Sequence, residues 1–325
     1  MHWPVWDSRQ GERVWEGRVG VRELGLAALQ WYVRHFPISR GKGRLVSALW
    51  KPLSGGRYRR ETVLRQADVR LVCDLTKLIQ RRLYFWGGYE EETCARWLGL
   101  VRESTIIFDD GANVGLYTLL AGWANSQSRI YAFEPTPEVV TILQDNIGLN
   151  GMQNISVEPV AVGDSDKMGF LRLCAGSDGS NEGMNYLASD TGAGPDLPVA
   201  VVCLDGYCQS HNIEQIDLLK MDIEGGEYDA LLGARQLLQE QAIGCIFLEM
   251  AEWAAQRSGH STGAIEELLA SAGYRLYGLG PRGLEPVGPE VMDRPDTVIA
   301  FAGDRGRWQA REVMSRMEVG SWRRP

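Results

Sequence analysis

Apolar positions along this chain change period several times, and each change marks an element. In residues 21–36, Leu24, Ala27, Ala28, Trp31 and Tyr32 recur at helical spacing. They predict an amphipathic helix that stops before Pro37 and packs on the main domain, with a docking or membrane-surface role as the alternative use of the same face. Residues 1–20 are rich in Trp, Gly and Arg without a period and are expected to be loosely ordered. Ser54-Gly55-Gly56 marks a turn, and the alternation of Val63, Val69, Leu71 and Cys73 across residues 62–75 predicts one or two short strands. A helix-like stretch at 93–101 then leads into a strand at 106–108.

From there the pattern becomes regular. An apolar strand, a turn (Asp109-Asp110-Gly111-Ala112-Asn113-Val114-Gly115), a helix and a second strand ending in Glu134-Pro135 occupy residues 105–135. Val139, Val140, Ile142, Leu143 and Ile147 form the apolar side of the next helix, closed by Asn150-Gly151, and a third strand covers 155–162. The order β-α-β-α-β with short connections predicts a parallel, doubly wound sheet. Further strands are expected at 199–204, 216–221 and 242–250. A helix burying Tyr228, Leu231, Leu232 and Leu238 follows the second of these, and a helix at 264–272 precedes last strands at 274–279 and 298–301. Residues 174–195 are mostly Gly, Ser, Asp and Asn and read either as a lid or as a plain surface loop. Residues 306–325 form a polar tail, and no internal repeat is present.

Composition adds charge asymmetry. The 325 residues carry a net charge of −8, with 19 Lys/Arg against 11 Asp/Glu (+8) in residues 1–104, which leaves −16 for residues 105–325. Arg34, Arg40, Lys42, Arg44, Lys51, Arg57, Arg59 and Arg60 occur without an intervening acid. They form a solvated basic face or a surface for anionic lipid, glycolipid or a partner; no nucleic-acid motif accompanies them, and none is expected as a partner. The six cysteines lack CxxC or His-paired spacing, so neither a zinc site nor a disulfide framework is indicated. Without a leader-like start, or an uncharged apolar run of the ~20 residues needed to cross a bilayer, a soluble cytoplasmic protein is expected.

The candidate chemistry lies at two turns. Small residues at 111, 112 and 115 let the backbone bend sharply and approach a ligand closely, and the helix opening near Val114 offers unpaired N–H groups. Glu134, about twenty residues on, ends the next strand where an acid can accept from ribose hydroxyls, so the unit points to an adenosine-containing cofactor. The second turn, Lys220-Met221-Asp222-Ile223-Glu224-Gly225-Gly226-Glu227, ends an apolar strand in a cluster of acids. At the carboxyl edge of the sheet, Asp222 and Glu224 are the first candidates to receive a proton from an acceptor hydroxyl, followed by Glu227 and Lys220. Glu227 is equally suited to capping the helix behind it. His211 and His260 lie in expected loops and rank lower. Two or three carboxylates without a defined ligand set support no metal.

With both acidic turns in view, the chain resembles the FkbM family of S-adenosylmethionine-dependent methyltransferases. The blocks that carry the likeness are Tyr84-Phe85-Trp86-Gly87-Gly88-Tyr89-Glu90, the 109–115 turn, Tyr131-Ala132-Phe133-Glu134-Pro135, the 219–227 block and Ile246-Phe247-Leu248-Glu249. The resemblance implies a Rossmann-like, seven-stranded class I methyltransferase sheet with its last strand antiparallel. It implies an extension at 1–77, a methyltransferase domain at 78–305 and a tail at 306–325. It places the methionine part of the cofactor on Asp109, Gly111, Ala112, Asn113 and Gly115, the ribose on Glu134 with Pro135 adjoining, a further contact on Glu90, and the adenine near residues 161–164 with Asp164 in reach. The activity implied is O-methylation of a hydroxyl on a sugar, glycolipid or other natural product. A nicotinamide-dependent oxidoreductase and a non-catalytic scaffold are the alternatives. Asp110 departs from the family, which usually has an apolar residue there. Oligomeric state is not legible.

Overall fold

The computed structural model describes residues 5–7, 12–14, 20–65, 67–174, 185–188, 196–280, 283–287 and 297–303. The expected lid at 174–195 falls largely outside these residues, and the expected polar tail wholly so. The described residues divide into two compact units, one reaching Glu91 and the other beginning at Glu92.

In the first unit, β1 (Val5–Asp7) pairs antiparallel with β2 (Glu12–Val14), where the sequence suggested no regular structure. Helices α1 (Val21–His35) and α2 (Lys42–Ser54) follow, then a hairpin of β3 (Arg59–Val63) and β4 (Arg70–Asp74), and α3 (Leu78–Trp86). Leu26, Leu29 and Val33 form the buried face of α1, which packs on α2 and α3. The expected packing positions Leu24, Ala27, Ala28 and Trp31 are instead exposed, because this helix is apolar on two sides and the inner one is offset from the stripe read from the sequence. Helix α2 was hidden in the sequence by Pro52, which sits in its last turn; Gly55 in the left-handed region ends it. Lys42 Nζ donates 2.6 Å bonds to the carbonyls of Val33 and Phe36, closing the end of α1.

In the second unit, α4 (Glu91–Val101) leads to β5 (Ile106–Asp110), α5 (Leu116–Ala124), β6 (Arg129–Phe133), α6 (Pro137–Leu149) and β7 (Ile155–Glu158). The chain then leaves the sheet through β8 (Ala161–Val162), β9 (Lys167–Arg172), β10 (Tyr186–Leu187) and β11 (Asp196–Val202), which form a separate sheet in the order β10-β9-β11-β8. It returns through α7 (Leu204–His211), β12 (Ile216–Met221), α8 (Glu227–Leu232), α9 (Arg235–Gln239), β13 (Ile243–Glu249), α10 (Glu252–Ala255), a 3-10 turn at Gln256–Ser258 and α11 (Thr262–Ser271). The last strands are β14 (Tyr274–Gly280), β15 (Gly283–Pro286) and β16 (Thr297–Ala302).

The main sheet has the order β7-β6-β5-β12-β13-β16-β14-β15, with β5, β6, β7, β12 and β13 parallel and β16 antiparallel to both neighbours. This is the doubly wound class I methyltransferase sheet with its last strand reversed. β15, a hairpin return of β14, adds an eighth strand. Two strand assignments change. The expected third strand splits at Pro159, which lacks an N–H for the ladder, so 155–158 stay in the main sheet and 161–162 start the second. The strand expected at 199–204 belongs to the second sheet, where Leu171, Val199 and Val201 make a small core of their own. Tyr207 packs edge to face against Phe108 and Phe133 on one side of the main sheet, with Phe133 and Tyr207 centroids 5.1 Å apart. Trp97, Tyr117 and Phe247 pack similarly with one another.

Strand order reverses between β5 and β12, so the crevice for a ligand opens above their carboxyl ends. At the opposite edge, buried Asp217 accepts from the N–H groups of Thr105 (2.7 Å) and Ile106 (2.9 Å), fixing the β5–β12 register. Asp217→Ala strands both donors, and about 2–4 kcal/mol of stability is expected to be lost in urea unfolding, whereas Asp217→Asn, which keeps a carbonyl acceptor, is expected to lose markedly less.

Candidate active site

The 109–115 turn is held from several directions. Gly111 (φ 80°) and Gly115 (φ 98°) adopt left-handed backbone, and a Cβ on Gly111 would lie 2.0 Å from the Asp222 carbonyl oxygen. The N–H groups of Gly111 and Ala112 both donate to Phe133 O, and buried Asn146 donates to Val114 O at 2.9 Å. Asn113, also left-handed at φ 50°, uses its side-chain oxygen to accept from Val114 N. Its own N–H donates to Glu134 Oε2 at 3.1 Å, while Glu134 Oε1 accepts from Thr136 N at 2.9 Å. Glu134 is thus fixed through both oxygens, with the Thr136 side chain adding a further hydrogen bond. Burial pushes its carboxyl above the usual range despite these bonds.

The two turns meet through a buried ion cluster. Lys220 Nζ lies 3.2 Å from Asp222 Oδ2 and 3.6 Å from Asp109 Oδ1, and 4.7 Å from the centre of the Tyr117 ring. Burial alone would lower the ammonium, but the two carboxylates outweigh it and hold Lys220 above its ordinary value. Burial likewise opposes ionisation of Asp222, yet Lys220 and a hydrogen bond shared with Glu249 hold its carboxyl below the ordinary range. Asp109, wholly buried, accepts from Thr118 Oγ1 on Oδ2, and Oδ1 has no hydrogen bond.

A cleft opens beside these groups, lined by Asp110, Gly111 and Asn113 from the first turn, by Glu134 and Pro135 after β6, and by Asp222, Ile223, Glu224 and Gly226 from the second turn. Its apolar wall is Val139, Ala161, Val162, Leu171 and Leu187. Asp110 is buried with Oδ2 unpartnered, and burial, with Glu227, Asp109 and Glu134 nearby, pushes its carboxyl well above the usual range against the pull of Lys220. Glu224 is half-buried in left-handed backbone (φ 57°); burial and the Asp222 charge push its carboxyl up to about 8, with Arg257 opposing. Gly225 behind it has no room for a Cβ, which would meet the Ala254 carbonyl oxygen at 2.1 Å.

The expected site residues therefore separate by position. Asp222, Glu224, Gly111, Asn113, Glu134 and Pro135 line the cleft. Asp109 and Lys220 lie beneath it, and Ala112 and Gly115 shape the turn. Glu227 is buried with its carboxylate accepting backbone N–H bonds at the start of α8, among them Ile223 N at 3.0 Å, so it holds the acidic turn in shape. Asp164 is exposed and ion-paired with Lys167, outside the lining. Glu90 belongs to the first unit, in left-handed backbone. His211 stacks on Tyr207 at the end of α7, beside the amino end of β12 and so away from the carboxyl edge. His260 stacks on Tyr228 and meets Asp229 at 3.2 Å, outside the lining. Among the described residues no group of three or more His, Cys, Asp or Glu is arranged to hold a metal ion.

Three residues escaped the sequence reading. Arg257 lies over the Trp253 ring at 4.5 Å and the Tyr186 ring at 5.2 Å, with one Nη buried and unpartnered, and Tyr186 lines the cleft. Trp253 is 50% exposed. Neither spacing nor motif marks them, because Tyr186 comes from β10, some seventy residues earlier in the chain.

The sequence pattern of the Methyltransferase FkbM domain matches residues 109–276, more than half of the chain. The chain belongs to the FkbM methyltransferase family. FkbM domains draw their methyl group from S-adenosylmethionine, which is the cofactor of this protein. Among curated FkbM relatives, 2-O-methyltransferase NoeI of Sinorhizobium fredii is 25% identical over 197 residues, covering 57% of this chain and 79% of that protein. The 31-O-demethyl-FK506 methyltransferase FkbM of Streptomyces tacrolimicus is 27% identical over 160 residues, 41% of this chain and 60% of that one. A solved O-methyltransferase from Bacillus cereus in complex with SAH aligns at a TM-score of 0.35 and 13% identity, over 66% of this chain and 80% of that one. At that score the fold rests on the strand order above.

The cleft fits the cofactor. A ligand carrying an ammonium and a sulfonium suits a wall with an unpartnered buried carboxyl oxygen on Asp110 and the Asp109 carboxyl beneath it, its ribose suits Glu134, and its purine suits the apolar wall. Glu134→Ala removes a charged hydrogen-bond partner and the brace on Asn113, and calorimetry is expected to show S-adenosylmethionine binding at least tenfold weaker. Unchanged affinity would remove Glu134 from the site.

Proposed function

We propose that this FkbM methyltransferase methylates a hydroxyl oxygen of a polyhydroxylated acceptor, a sugar or a sugar-bearing natural product, with Glu224 receiving the hydroxyl proton. Bound S-adenosylmethionine supplies an electrophilic methyl group on sulfur. The task left to the protein is to bring an acceptor oxygen into line and take its proton.

The place of Glu224 on the wall of the cleft, beside Asp222, is the observation that carries this reading; burial and the Asp222 charge push its carboxyl up to about 8. A carboxylate near that value is a far stronger base than an ordinary one and still ionises at the working pH. Asp222, pinned by Lys220 and held ionised, is a weak base; it orients the hydroxyl by accepting from it. Lys220 and Glu227 act as positioning residues, the first on the two carboxylates of the cluster and the second on the 223–227 turn. Arg257, between two aromatic rings with an N–H to spare, and the half-exposed Trp253 suit ring C–H edges and vicinal hydroxyls. The acid-rich lining disfavours an anionic acceptor. Oxygen as the methylated atom accords with the names of the relatives, 2-O-methyltransferase NoeI and 31-O-demethyl-FK506 methyltransferase FkbM.

The sign of the pH dependence follows from the role. A base works deprotonated, so kcat/KM is expected to rise with pH and level off above about 8. Glu224→Gln is expected to lower kcat by roughly 10²–10⁴-fold and to flatten this profile while leaving S-adenosylmethionine affinity within about twofold. Labelled methyl transfer to a panel of sugar and non-sugar hydroxyl acceptors supplies the measurement. A flat wild-type profile with an unimpaired Glu224→Gln variant would contradict the assignment.

A further inference from the structure

Seven of the thirteen large apolar side chains exposed among the described residues fall within residues 21–49 of the first unit: Val21, Leu24, Trp31, Phe36, Ile38, Leu45 and Leu49. They are not scattered. Trp31 lies one turn from the end of α1, Phe36 and Ile38 are in the link, and Leu45 is in the first turn of α2, so all four crowd the tip of one helical hairpin. Trp31 is 61% exposed and Ile38 58%.

The tip is built rather than loose. Lys42 ties the start of α2 to the last carbonyls of α1, the Phe36 ring stacks on Tyr32 at 4.9 Å, and His35 stacks on Trp31 at 5.3 Å. Its charge has one sign. Exposed Arg40 and Arg44 flank Ile38 and Leu45, and no acid occurs from residue 24 to residue 60. By contrast Arg34 and Lys42 are consumed internally, donating to backbone carbonyls of their own unit.

An apolar patch rimmed by unopposed arginines, with a Trp at its border, has the chemistry of an interface between hydrocarbon and anionic headgroups. No helix among the described residues is long and apolar enough to cross a membrane, so such contact is peripheral. We propose that the α1–α2 tip docks the protein on anionic lipid surfaces, Trp31, Phe36, Ile38 and Leu45 entering the headgroup boundary and Arg40 and Arg44 pairing with lipid phosphates. A protein partner would need an acidic apolar groove; the absence of any acid on the hairpin after Glu23 and the aromatic border favour lipid.

The test is flotation of the full chain with phosphatidylcholine vesicles containing about one third phosphatidylglycerol, beside vesicles of phosphatidylcholine alone. Binding to the anionic vesicles that weakens with salt is expected. The Arg40→Glu/Arg44→Glu variant is expected to bind at least tenfold more weakly, each lost basic residue counting for roughly fivefold. Trp31→Ser/Ile38→Ser is expected to lose binding at every salt concentration. Because these four side chains are exposed, the unfolding midpoint and S-adenosylmethionine affinity of both variants should match wild type, which separates docking from folding. Wild type that stays with neither vesicle, or variants that float as well as wild type, would overturn the proposal. So would loss of self-association in the Trp31/Ile38 variant with vesicle binding unchanged, which would assign the patch to a second copy of the chain.

Discussion

The active-site half of this protein depends on one buried ammonium. Lys220 sits on β12 directly opposite Asp109 on β5, where the parallel register pairs the two residues, and reaches Asp222 at the end of its own strand. The two turns that line the cleft are the continuations of those strands, so an ion cluster at the strand ends fixes both at once. A lysine buried to this degree survives charged only because two carboxylates face it, and Asp222 in turn is held below the ordinary carboxylate range by the lysine.

The same cluster sorts the acids around the cleft into different tasks. Asp222, closest to Lys220, is held in its charged form, whereas Glu224, two residues on, feels burial and the Asp222 charge and is raised to about 8. Neighbouring carboxylates with opposite shifts give one fixed acceptor and one group able to take and release a proton. Glu227 spends its oxygens on backbone N–H groups and thereby keeps Glu224 in left-handed backbone, a conformation a non-glycine residue holds at a cost of about 1–3 kcal/mol. Gly111 and Gly225 leave no room for a Cβ against the Asp222 and Ala254 carbonyl oxygens, so the two turns are tightly packed as well as charged.

Much of this was legible in the chain because it is local. The strand, turn, helix and strand at 105–135 follow from period and glycine placement, and acids at strand ends fall at the carboxyl edge once the sheet is parallel. What escaped is what sequence separation hides. Pro159 ends a ladder that apolar content alone would extend, and β8 to β11 form a second sheet instead. Arg257 meets Tyr186 across about seventy residues, with no periodic trace. Helix α1 carries apolar residues on two sides, and a period cannot say which side turns inward; Leu26, Leu29 and Val33 do, which leaves Trp31 outside. Asp110 reads as a departure from the family, and only the fold shows it lining the cleft with an unpartnered oxygen.

The central claim is that Lys220 works by its charge on Asp109 and Asp222. Urea unfolding of Lys220→Met as a function of pH tests it most directly. Without the ammonium, burial raises the Asp222 carboxyl in the folded state, a condition that stabilises below its unfolded value and destabilises as pH rises. The account therefore expects a deficit of about 3–5 kcal/mol against wild type at neutral pH that shrinks as the solution is acidified through the carboxylate range. A deficit that stays constant with pH would mean that Lys220 contributes packing alone, and would contradict the account.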